Sequence, residues 1–306
     1  MPHHSTSALN QSAILRSHSP QAAIRAIVRI AARSPALTAA SIIICALFLI
    51  SLSAPLISDV ALSYPPEKID LDHIFRRPAL GPAVWWLGSD EYGRSELVRL
   101  VYGGRISLFF AALVVAINLT VGVPLGMIAG YYRGRVDDMV NWVITTLVSI
   151  PSIILLIAGA VLFRPSPLTL AIFFGVISWT GVARLVRGQA FSLREREYVI
   201  AAYATGASGI RIMLRHIAPN VAPIIITITG IDVASVILAE SALSYLGLGI
   251  QPPTPSWGNM LTNAGTYLFK AGWLVVPPGA CITLTVLCLY IIGDGLRDAL
   301  DPRLRR

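Results

Sequence analysis

From Pro35 to Ile57 the chain carries no charged side chain for more than 20 consecutive residues. A helix rises about 1.5 Å per residue, so a run of this length can cross the hydrocarbon core of a bilayer. It is too long for the apolar stretch of a cleaved signal, and no clear small-x-small cleavage site follows. It is therefore read as a retained first span. Comparable runs recur near 106–131, 139–162, 168–186, 221–246 and 273–292. Each span must satisfy its own peptide groups in lipid, so the expected fold class is all-α, a polytopic membrane protein with six transmembrane helices. Composition agrees. Only 13% of residues are charged and 55% are hydrophobic, whereas soluble domains carry about 25% charged residues.

Charge placement gives an orientation. With the N-terminus inside, 16 of the 24 Lys and Arg fall inside and 8 outside, which favours cytoplasmic N- and C-termini. The net charge of +8 is spread over segments that flank apolar runs, so a nucleic-acid partner is not expected and the lipid bilayer is. The resulting division is a cytoplasmic tail at 1–34, a first transmembrane helix at 35–57, a periplasmic or extracellular segment at 58–103, a five-helix core at 104–294 and a cytoplasmic tail at 295–306. The tail at 1–34 reads as disordered or interfacial. Pro124 and Pro151 are expected to kink their helices. Gly122, Gly126 and Gly130 recur every four residues and predict a face that admits a neighbouring helix closely, with the general frequency of glycine in membrane helices as the lesser, competing explanation.

Chemistry of the chain's own is hard to find. A P-loop needs Gly-Lys-Ser/Thr, yet the two lysines, Lys68 and Lys270, follow Glu67 and Phe269. The histidines are His3, His4, His18, His73 and His216, none within a span. Intramembrane hydrolysis therefore has neither base nor metal ligand at depth. Cys45, Cys281 and Cys288 sit in apolar runs with no metal-binding spacing and are expected to pack as small hydrophobes. No metal site and no catalytic residue are expected. Asp232 and Glu240 lie within the fifth span, roughly 80° apart around a helix. They are candidates for a translocation pathway, with a structural hydrogen bond to a neighbouring helix as the competing role. A self-contained proton-coupled secondary transporter built on this pair is the alternative function; an inverted repeat would support it, and none is clear.

Between the fourth and fifth spans lies a polar helical insert, "EREYVIAAYATGASGIRIMLRHIAPN", from Glu195 to Asn220. Glu195 and Glu197 favour a helix start, Gly206 and Gly209 break it, and Ile210 to Ile217 form a second short helix closed by Pro219. Ala201, Ala202, Ala204 and Ala207 leave a shallow face for another protein; an amphipathic pair on the membrane surface is the other reading. Two polar segments on the opposite side, "LGSDEYGRSELVRLVYGGRISL" and "LSYLGLGIQPPTPSWGNML", are expected to be loops, partner-docking elements or gates. The first looks like a turn and an interfacial helix leading into the second span.

The insert resembles the EAA loop of ABC importer permeases, in the variant of the dipeptide/oligopeptide/nickel group. The matching residues are Glu197, Tyr198, Val199, Ala201, Ala202, Gly206, Ala207, His216, Pro219 and Asn220. "WTGVARLVRGQAFSLRERE" before it and "GDGLRDALDPRLR" at the end resemble the C-type subunit of that group, and the resemblance runs from the first span to the terminus. It implies a type I ABC importer permease fold in the inner membrane. It also implies a coupling role for Glu197, Tyr198, Ala201, Ala202, Gly206, Ala207, His216 and Pro219. The implied partners are a homologous B-type permease, two ABC ATPase subunits that bind ATP and Mg²⁺, and a periplasmic or extracellular substrate-binding protein. No cofactor is implied for this chain. The sequence departs from the group at Tyr203, where arginine is usual, and at Asn141, Trp142 and Thr145, which stand in for a Met-Arg-x-x-Asp pattern.

Overall fold

The computed structural model describes residues 34–162 and 166–300; the tail before Ser34, Arg164 and the last residues, 301–306, lie outside the described residues. The described chain is built from helices. The first, α1 (Pro35–Leu52), is capped by the Ser34 hydroxyl, which accepts from the Leu37 N–H. A separate π-helical turn at Leu56–Ala61 follows it. The long helix α2 (Glu96–Tyr132) is capped by Ser95 and passes through Pro124 without interruption. Then come α3 (Gly134–Val148), α4 (Ser152–Leu162) and α5 (Pro167–Arg194). Two short helices, α6 (Glu197–Ala204) and α7 (Gly209–Ile212), lead through a π turn at Met213–Ile217 into α8 (Ala218–Tyr245). The one-turn α9 (Ala264–Tyr267) and α10 (Val276–Leu300) complete the order.

Five helical segments are long and apolar enough to cross a membrane, and α3 with α4 make a sixth if counted as one span. That third span is not the kinked helix expected. It breaks between Val148 and Ser152, and its two halves bend by 77°. Pro151 lacks the N–H that would continue the α3 ladder, which ends with the Thr145 carbonyl accepting both the Ser149 N–H at 2.9 Å and the Ser149 hydroxyl at 2.7 Å. The second span begins earlier than expected. Glu96, Arg99 and Arg105 belong to the same helix as the apolar run, so the segment read as a separate interfacial helix is its first three turns. At the other end of the chain, α10 continues past residue 294 to Leu300.

The tightest packing joins α2 to α5. A Cβ placed at Gly122, Gly126 or Gly130 would come within 2.8, 2.5 and 2.5 Å of the carbonyl oxygens of Trp179, Ala183 and Arg187. The backbones of the two helices thus touch along three successive turns. Around this seam Phe110 and Val114 of α2, Phe174 of α5 and Ile237 of α8 form the buried core, with the Phe110 and Phe174 rings edge to face at 5.2 Å. α8 packs on α2 and α10, and α10 packs on α1.

The segment before α2 folds over its first turn. Tyr64, Val84, Trp85 and Val98 form a small core of their own. Burial, with the Asp70 and Asp90 carboxylates nearby, pushes the Tyr64 hydroxyl up to about 12. It stays protonated and donates to the Gly93 carbonyl at 3.3 Å.

Candidate functional site

The insert is a two-faced unit seated on one end of the α2–α5 pair. Its inner face consists of Val199, Ile212, Met213 and Ile217, all buried against Met127, Tyr131, Val182, Val186 and Ala190. Each large apolar side chain so buried contributes about 1.5–3 kcal/mol, so the insert is held as a body rather than a loose loop. Polar ties add to this. Arg194 Nη1 donates to the Tyr131 carbonyl at 2.6 Å. Arg133 pairs with Glu195 at 2.6 Å while its guanidinium stacks over the Phe191 ring at 3.8 Å. Arg187 Nη2 donates to Asp137 Oδ2 at 2.7 Å and binds α3 to α5. None of these partners stood out in the sequence, because each joins residues about 50 or more positions apart.

The turn inside the insert has a defined chemistry. Gly206 takes φ +85°, its N–H bonds the Tyr203 carbonyl, and the Ala207 N–H bonds the Ala202 carbonyl. This is a Schellman closure of α6, which favours glycine at the left-handed position. Ser208 then caps α7 by accepting from the Arg211 N–H. Gly209 is not a breaker but the first residue of α7. A side chain there would meet the Tyr132 hydroxyl at 2.8 Å.

Pro219 does not close the second helix. It sits in the first turn of α8, where its missing N–H is tolerated. The π turn before it, with the Ala218 N–H bonded to the Met213 carbonyl, carries the helix through. Residues Gly209–Tyr245 thereby form one 37-residue helical segment.

The outer face of the insert exposes large apolar side chains beside the charged Arg196, Glu197, Arg211 and Arg215. Tyr203 is 70% exposed, Leu214 64% and Ile210 63%, with Ile200 and Tyr198 also exposed. Glu197, Ala201, Gly206 and Pro219 are exposed, while Ala202, Ala207 and His216 are half-buried. The His216 ring lies 6.2 Å from that of Tyr198, and the His216 carbonyl accepts from Asn220 Nδ2 at 2.7 Å. Tyr203 lines a cleft of about 390 Å³ together with Tyr131, Tyr132 and Arg194. Exposed large apolar side chains set among charged ones mark a contact site. Asn141, Trp142 and Thr145 lie on the exposed side of α3.

The two membrane-depth carboxylates part company. Asp232 accepts from Asn118 Nδ2 at 2.9 Å, and the Ser178 hydroxyl lies 3.0 Å from Asn118 Oδ1. This chain of groups ties α8, α2 and α5 together. Asp232 also lines a cavity of about 390 Å³ bounded by Pro151 and Ser152 at the break of the third span. Glu240 does not reach that cavity. It is 2% exposed; its Oε1 accepts from Ser244 and Ser256 at 2.7 and 3.0 Å, and Ser107 Oγ approaches Oε2 at 3.5 Å. It pins the loop after α8 to α2. Trp257 completes that joint, its ring lying where a side chain on Gly104 would have to go and its Nε1 donating to the Leu100 carbonyl at 2.9 Å. Among the described residues no group of three or more His, Cys, Asp or Glu is placed to hold a metal.

Residues 122–306 match the family described as binding-protein-dependent transport system inner membrane component. A dipeptide transport system permease protein of Alkalihalophilus pseudofirmus is 39% identical, over 86% of this chain and 84% of the relative. A di/tripeptide transport system permease protein of Pseudomonas aeruginosa is 37% identical over 86% of this chain and 85% of the relative. An oligopeptide transport system permease protein of Haemophilus influenzae is 40% identical over 71% and 70%.

Proposed function

Because the chain belongs to the family of binding-protein-dependent transport system inner membrane components, we propose that it is one half of the transmembrane pathway of an ATP-driven importer of short peptides. The peptide class rests on the relatives, whose names give dipeptides, tripeptides and oligopeptides. Energy is supplied by two separate ATPase subunits. A homologous permease completes the pathway, and an external binding protein delivers the cargo. The insert faces the cytoplasm, with both termini on that side, as the Lys and Arg distribution favours.

The observation that carries this reading is the two-faced insert. Its buried face fixes it to α2 and α5, and its exposed face offers Tyr203, Ile210 and Leu214. A surface groove on an ATPase that takes up this exposed face can push the insert without deforming it. The push is delivered directly to α8, since α7 and the π turn run into that helix without a loop. Asp232 and the break in the third span line the cavity in which cargo would pass. The exposed apolar side chains of α3 and α4, such as Trp142 and Leu162, suit lipid or the partner permease.

The test is co-purification with co-expressed ATPases, followed by uptake in proteoliposomes. Gly206→Pro removes the left-handed position, and Glu197→Lys reverses the charge at the start of α6. Both variants should insert normally, lose ATPase capture and lose ATP-dependent uptake. Full capture and full uptake by both would overturn the coupling role, and proton-driven uptake by the lone chain would overturn the importer.

A further inference from the structure

At the end of the bundle opposite the insert, the first turns of α2 and the loop after α8 enclose a cleft of about 340 Å³. Asp90 is the hub on one side. Its Oδ1 accepts from the Tyr92 and Arg94 N–H groups at 2.9 and 3.0 Å, and its Oδ2 pairs with Arg94 Nε at 2.7 Å. Arg99 Nε leans toward the same oxygen at 3.6 Å. Asp90 is therefore saturated. Two other groups on the cleft wall are not. Glu96 is 2% exposed and Arg99 4% exposed, and Glu96 Oε1 and Arg99 Nη1 meet no hydrogen-bond partner among the described residues. Buried polar atoms in native proteins are almost always partnered, and buried charged ones left alone cost the most. The two residues stand three apart on one helix face, one offering an acceptor and the other a donor.

We propose that this cleft binds a small zwitterion of the amino-acid or short-peptide class, its ammonium on Glu96 and its carboxylate on Arg99. Ile250, Met260 and Leu274 supply apolar wall for a side chain, while the Gln251 and Asn259 amides on the same wall already donate to loop carbonyls and hold the wall in shape. The rest of the wall is mostly polar, with Asp90, Glu91 and Arg94 charged and Ser244, Thr262 and Asn263 neutral, which suits a small charged ligand better than an apolar one. That the ligand would be the importer's own cargo rests on the function proposed above; the pairing of charges does not. The cleft is separate from the Asp232 cavity and shares no lining residue with it.

The experiment is equilibrium binding of radiolabelled Ala-Ala to the purified full chain in lipid nanodiscs, with alanine and N-acetyl-Ala-Ala-amide as competitors. Saturable binding displaced by Ala-Ala and not by the uncharged analogue is expected. Competition by alanine as strong as that by Ala-Ala would assign the site to free amino acids; weaker competition would assign it to peptides. Glu96→Gln, which keeps the shape of the side chain, should weaken binding at least about tenfold. Arg99→Met should do the same, and if that variant fails to fold, Glu96→Gln decides alone. Absence of saturable binding by the folded wild-type chain, or unchanged binding by Glu96→Gln, overturns the proposal. Capture of the ATPases is scored on the same preparations. A chain that captures them and binds no probe refutes this site alone, and one that binds the probes without capturing them refutes the coupling role alone.

Discussion

Gly126→Ala is the sharpest probe of the α2–α5 seam. The added Cβ would lie 2.5 Å from the Ala183 carbonyl oxygen and 2.9 Å from Val186 Cβ. Heavy atoms without a bond between them rest at about 3.5–4.0 Å, so the helices must part by something near 1 Å where backbone meets backbone. Neither partner is a flexible side-chain end that can swing aside. Overpacking of this kind costs about 1–3 kcal/mol. Alanine also gains up to about 1 kcal/mol of helix propensity over glycine, which would hide part of the loss. Gly188→Ala removes that ambiguity. It lies on α5, where a Cβ meets nothing within 4 Å, so it collects the propensity gain alone. The difference between the two variants isolates the steric term, a factor of about 5 to 150 in the unfolding equilibrium. Reversible unfolding in mixed detergent micelles, followed by helical circular dichroism, reads it directly. If Gly126→Ala proves as stable as Gly188→Ala, the close seam is not what holds these helices together.

Glu240→Ala strips the acceptor from Ser244 and Ser256 inside a buried joint and should lower stability by about 2–4 kcal/mol, whereas Glu240→Gln should lose about half as much; the same unfolding assay ranks them. Glu195→Gln breaks an ion pair whose side chains are 32% and 64% exposed. It should cost under about 1 kcal/mol, and the difference from wild type should shrink further in 1 M salt.

The apolar runs made the helices legible, because bilayer thickness fixes the length a span must have. The insert was legible as two helices around Gly206, since a left-handed closure favours glycine. Other features were not. Glu96 and Arg99 read as a boundary because charges usually end a span; here the protein itself buries them. Pro219 read as a stop although a proline in the first turn of a helix costs little. Pro151 read as a kink and is a break of 77°. A periodic pattern alone gives no measure of how far a helix bends. Asp232 and Glu240 share a helix, yet their surroundings differ because Asn118, Ser107 and Ser256 come from elsewhere in the chain. With Glu240 wrapped by serines outside the cavity, the proton-coupled alternative loses one of its two carboxylates.

The unbroken run from Gly209 to Tyr245 has a consequence in lengths. Thirty-seven residues at about 1.5 Å each make a rod of roughly 55 Å, against a hydrocarbon core of about 30 Å. Some 25 Å of it must therefore stand clear of the lipid, split between its two ends. One end carries the insert's exposed face, the middle carries Asp232 at the cavity, and the far end carries Ser244 at the wall of the charged cleft. A tilt of a few degrees imposed at Gly209 becomes a sideways travel of several ångströms at Tyr245. The regular ladder yields near the Gly209 end, at the π turn Met213–Ile217 and at Pro219 and Pro223, which have no N–H to give it.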